Sequence, residues 1–117
     1  MAKAEYWQRG ESLDYVNTGS TTIEAGTVIA SGDHIGVTGC GIAPGMVGSL
    51  HVCGTFKLPK TGTAAIAMMK DVYWDGSGIT DEADDGEQSD PTSYIKVGMA
   101  AAAAAAADTT ILVKLNG

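Results

Sequence analysis

Apolar and polar residues alternate along most of this chain, and the alternation breaks every few positions at Gly, Asn, Pro or Asp. A period of two sends successive side chains to opposite faces of a strand, whereas a helix needs apolar positions three and four apart. The pattern predicts strands over 12–17 (SLDYVN), 21–24, 26–30, 34–38, 47–59, 65–69, 71–75 and 109–115, separated by NTGS, EAG, SGD, GIAPG and DGSG. Gly, Asn and Pro in such clusters set turns. Strands this short, with so much punctuation, predict an all-β domain, a small sandwich or barrel. In the longest run Val47, Ser49, His51, Cys53, Thr55 and Lys57 share one side. Gly48, Leu50, Val52, Gly54, Phe56 and Leu58 share the other, which is the apolar one and so the expected core face. His51 is thereby expected on the solvent side or at a rim.

Three segments depart from the pattern. Residues 1–11 (MAKAEYWQRGE) show no usable period and read as an N-terminal arm before a β domain over 12–117. Tyr6 and Trp7 on such an arm either fold back onto the domain or anchor a partner. The string Leu58-Pro59-Lys60-Thr61-Gly62 has the letters of a cell-wall sorting signal. That signal needs an apolar span of about 18–20 residues behind it, and none follows. Here Leu58 closes an apolar face, Pro59 ends the ladder by lacking an N–H, and 60–62 are expected to turn. Eight alanines (100–107) have high helix propensity, but an isolated helix so short is marginal. The β-branched residues before them, the missing cap and Asp108-Thr109-Thr110 after them favour a strand of small side chains, a turn near 107–108, and a closing strand, with a short helix as the alternative.

Composition sharpens this picture. Sixteen glycines against seven aromatic residues suit tight turns between strands. The formal charge is −7, and residues 61–117 hold nine acidic but three basic groups. Such a chain repels phosphate backbones, so direct nucleic-acid binding is not expected, and no membrane partner is expected either. The first residues lack the apolar core of a secretory signal, which makes the cytoplasm the default compartment. Cys40 and Cys53 are too far apart in sequence for a CxxC site and read as buried thiols or as a disulfide, if their strands are adjacent.

Candidate chemistry is sparse. GCGIAPG (39–45) is glycine-rich, but no lysine follows and Pro44 removes a donor, so a turn is expected instead of a phosphate loop. On a calcium-loop template beginning at Asp81, Gly86 and Asp85 fit, but Ala83 and Thr92 stand where oxygen ligands are required. The acidic stretch 81–90 therefore reads as a solvated surface loop. Cys40, Cys53, His34, His51 and Asp33 supply the letters of a nucleophilic site without any local signature. No catalytic residue, cofactor or metal is expected.

Taken together, YWQRGESLDYVNTGSTTIEAGTVIA, IGVTGCGIAPGMVGSLHVCGTFKLPK, AIAMMKDVYWDGSGIT and MAAAAAAAADTTILVKLNG resemble the capsid cement (head decoration) proteins of tailed bacteriophages and prophages. The likeness spans nearly the whole chain and rests on the order and spacing of strand-and-turn pieces. Met68-Met69-Lys70-Asp71 departs from it, since the family commonly has a glycine before its VYWD element, and the acidic loop 81–90 is unusual for it. The resemblance implies a jelly-roll-like β domain on the outside of the virion capsid that clamps neighbouring major capsid protein subunits, is made in the host cytoplasm, and forms a homo-oligomer (dimer or trimer). A tail or baseplate scaffold is the alternative within phage structure, and a small metal-dependent enzyme the alternative outside it. The residues expected to touch partners are Tyr6, Trp7 and Arg9 on the arm. A final edge strand is expected to add Ile111, Val113 and Leu115.

Overall fold

The computed structural model describes residues 2–6, 8–89 and 91–115. Among them are nine strands: β1 (Ser12–Val16), β2 (Val28–Ser31), β3 (His34–Thr38), β4 (Val47–His51), β5 (Gly54–Pro59), β6 (Asp71–Trp74), β7 (Ile79–Thr80), β8 (Ile95–Ala100) and β9 (Thr110–Leu115). They form two antiparallel sheets, ordered β1-β4-β3-β2 and β5-β9-β8-β6-β7. No helix occurs among the described residues. The all-β expectation holds, and the strands fall into two sheets. The chain passes between the sheets once, between β4 and β5, so the back-and-forth connectivity of a jelly roll is not seen in this strand order.

That single passage divides the run 47–59, which alternation alone presents as one strand. β4 ends at His51, and Gly54 takes φ of 109°, a region that a β-carbon disfavours. The chain turns the corner there into the second sheet. The alternation survives on each side of the break, with Leu50 and Leu58 both buried.

The two halves of the chain follow one plan. In each, the strands pair in the same order: β1-β4-β3-β2 in the first, β5-β9-β8-β6 in the second. In each, two loop residues exchange a reciprocal pair of backbone hydrogen bonds over the sheet: Ile23 with Ile42 at 2.9 and 2.8 Å, and Ile66 with Ala104 at 2.9 Å both ways. Each such residue is followed by a turn that feeds the next strand. Gly26, Gly45 and Met69 hold the left-handed position of three of these turns, at φ of 82°, 79° and 70°. Residues 21–24 and 65–69, expected as strands, are thus bridged loop segments that cover a sheet. The alanine run behaves likewise. β8 ends at Ala100, Ala104 bridges Ile66, and the Asp108 carboxylate accepts from the Ala105 N–H at 2.8 Å to close the turn. Small side chains let this segment lie close over the core, where Ala104 is buried.

The main hydrophobic cluster lies mostly in the second half: Leu58, Ile66, Val72, Ile79, Val97, Ala100, Ala104, Ile111, Val113 and Leu115. Ile35 and Val37 of β3 join it, and β3 lies against β8. The halves differ at one hairpin. A two-residue loop, Gly32-Asp33, joins β2 to β3, with Gly32 at φ of 59° as a Gly-first hairpin requires. The matching connection in the second half is the long acidic insertion from Asp75 to Tyr94, which includes β7.

Candidate docking surfaces

The arm carries no strand among residues 2–6 and 8–10. Tyr6 is 80% exposed and Arg9 is exposed, so Tyr6 does not fold back onto the domain. Trp7 lies outside the described residues. The expected edge at the C-terminal strand is corrected. β9 runs between β5 and β8, pairing with both, and Ile111, Val113 and Leu115 are buried at 4%, 0% and 1% exposure. Alternation marked these three as one face of a strand but could not say that the strand has two neighbours.

The edge strands are β1, β2, β5 and β7. β7 has two residues and β2 four, too few to offer a long template. β5 carries Lys57 and Pro59, a charge and a missing donor, which both blunt an edge. β1 differs. Leu13 is 44% exposed on one face, while Val16 (48%) and its cross-strand neighbour Val47 (59%) are exposed on the other. On the Leu13 face, Leu13, Tyr15, Ile29, Gly36, Leu50 and Val52 line an open trough of ≈ 300 Å³. Leu50 forms its floor because Gly36 has no side chain: a β-carbon there would lie 2.7 Å from Leu50 Cγ.

The polar features are spent on holding loops. Thr61 Oγ1 donates to Asp75 Oδ2 at 2.6 Å, and the N–H groups of Ser77 and Gly78 donate to Asp75 Oδ1 at 2.9 Å each. Desolvation works to raise the Asp75 carboxyl, but these hydrogen bonds outweigh it and hold the group below its ordinary value. In the acidic loop, Asp85 Oδ1 accepts from Glu87 N–H (3.0 Å) and Thr92 N–H (3.2 Å), and these bonds lower its pKa. Asp84 Oδ1 accepts from Gly86 N–H at 2.9 Å. Desolvation, then the charges of Asp85, Asp75, Glu82 and Asp84, push the Tyr94 phenol up. Among the described residues, no group of three His, Cys, Asp or Glu is arranged to hold a metal ion.

Ser12 Oγ and His51 Nδ1 are 2.8 Å apart, and the His51 ring lies against Gly39, where a β-carbon would come 2.5 Å from Nε2. The pair ties β1 to β4 and leaves His51 half-buried at a rim, as alternation predicts. Cys40 is exposed and Cys53 half-buried, and both are free, which corrects the expectation of buried or paired thiols. The LPKTG stretch is also revised. β5 ends at Pro59, but 60–62 run on beside β7 instead of turning, with Thr61 and Gly62 N–H groups both donating to Ile79 C=O.

What this geometry defines is a two-sheet β scaffold with unsheltered apolar groups on a terminal arm, on the edge and faces of the sheets, and in the turns at Met46, Met68 and Met69. The chain belongs to the phage cement protein family, whose model matches residues 7–115 of the 117. Membership gives it a structural role in a phage, associated with the capsid. No curated protein and no solved structure matches the chain.

Proposed function

We propose that this protein binds the outside of an icosahedral phage head and stabilises contacts between neighbouring major capsid protein subunits. The observation that carries the adhesive reading is the exposure of apolar residues along β1 and β4: Leu13 on one face, Val16 and Val47 on the other, and Met46 in the turn before β4. A chain of net charge −7 that leaves such groups in water has them available for a surface it meets during assembly. Each copy need contribute only a few kcal/mol, because a shell repeats the contact at every equivalent site. Tyr6, Trp7 and Arg9 are the arm's proposed anchors, and a dimer or trimer is the proposed state on the head. A density map of the assembled head tests this directly: the protein is expected across the joints between capsid subunits, and density confined to the tail or baseplate overturns the reading.

A further inference from the structure

We infer that the outer edge of β1 is the place where a strand of the head adds to this protein's first sheet, and that this strand alternates apolar residues with at least one Lys or Arg. The inference rests on the cement reading above and assigns it a surface.

Three observations carry it. The first is the direction of the backbone groups. In the β1-β4 ladder, Glu11 C=O accepts from Val52 N–H at 3.0 Å and Asn17 N–H donates to Met46 C=O at 3.0 Å. Antiparallel pairs alternate, so Leu13 and Tyr15 bond to β4, and Ser12, Asp14 and Val16 turn their N–H and C=O outward. The Gln8 side chain donates to Ser12 C=O at 3.2 Å and marks one end of the edge. The Asp14 and Val16 groups lie beyond it.

The second observation comes from the repeated plan. Asn17 and Lys60 hold matching places after β1 and β5, which aligns Asp14 with Lys57 and Val16 with Pro59. Where β5 has two edge-blunting residues, β1 has a carboxylate and a β-branched residue suited to pairing. Side chains of an added strand would also lie beside Leu13 on one face and beside Val16 on the other.

The third is charge, which selects the occupant. Glu11 and Asp14 are exposed along this edge of an acidic chain. A second copy paired in the register that uses all three outward positions sets Ser12 opposite Val16 and Asp14 opposite Asp14, and like charges directly opposite destabilise a sheet. A cationic residue opposite Asp14 removes that repulsion, and apolar residues on either side of it fit beside Leu13 and Tyr15.

The test is co-sedimentation of the full chain with empty heads, using wild type, Val16→Pro and Asp14→Lys, with amide exchange read at residues 12–16 in free and head-bound protein. Both substitutions are expected to weaken head binding at least tenfold with the melting temperature unchanged, and the Asp14 and Val16 amides are expected to gain protection only when heads are present. Wild-type protein that binds heads while both variants bind equally well overturns the β1 assignment and leaves the cement role standing. Wild type that does not bind heads overturns the cement reading and this assignment with it. Protection that grows with protein concentration in the absence of heads puts a second copy on the edge and overturns the assignment too. If Val16→Pro fails to fold, Asp14→Lys and the exchange pattern still decide.

Discussion

Asn17 and Lys60, at matching places in the two halves, do the same work with different chemistry. Asn17 Nδ2 donates to the C=O of Thr21 and of Ile42, both at 2.8 Å. Lys60 Nζ donates to the C=O of Gly62 and of Ala106. Both residues are buried, and each ties the segment that follows its strand to the loop that leads into the half's last strand. Removing either donor takes a partner from shielded carbonyls, of which Ile42 C=O still accepts from Ile23 N–H, and a shielded group that loses a bond costs more than a hydrogen bond exchanged with water. Asn17→Ala and Lys60→Ala are each expected to destabilise by about 2 kcal/mol. Urea denaturation checks this, and a midpoint within error of wild type for either variant contradicts the assigned role.

Met69 stands where the first half has Gly26, in the left-handed region at φ of 70°. A side chain there costs roughly 1–2 kcal/mol, against about 0.5–1 kcal/mol for the extra unfolded-state freedom of glycine. Met69→Gly is expected to raise the melting temperature by a few degrees, and Gly26→Ala to lower it. Calorimetry on the two variants reads the sign, and a lower melting point for Met69→Gly would show that the turn differs.

The Asp75 carboxyl, held below the ordinary aspartate value by Thr61, Ser77 and Gly78, links stability to acid. A depressed folded-state pKa means that its contribution is present above the unfolded value and is lost as pH falls through the folded value. As pH falls below about 4, wild type is expected to lose stability more steeply than Asp75→Asn. Denaturant midpoints taken across that range give the two slopes. Parallel slopes would remove Asp75 as a cause.

Deleting residues 1–10 is expected to weaken head binding and leave the melting temperature almost unchanged, because Tyr6 and Arg9 are exposed. The deletion also removes Gln8 from Ser12 C=O, an exposed hydrogen bond of little consequence for stability. Head occupancy equal to that of wild type would show that the arm is not an anchor.

Alternation and punctuation by themselves determined that this chain is all-β, where β1, β3, β6 and β9 run, and that Leu58 faces inward. Those features are local, set by the period-two geometry of a strand and by what Gly and Pro do to φ. Only the tertiary structure decided that 47–59 is two strands in two sheets, that Ile23, Ile42, Ile66 and Ala104 are bridges over a sheet, and that the halves repeat one plan. Partner order is the physical reason. A strand of alternating residues reads the same at an edge or between two neighbours, so nothing in 111–115 distinguishes the buried β9 from the open β1, and that choice is made by contacts tens of residues away in sequence.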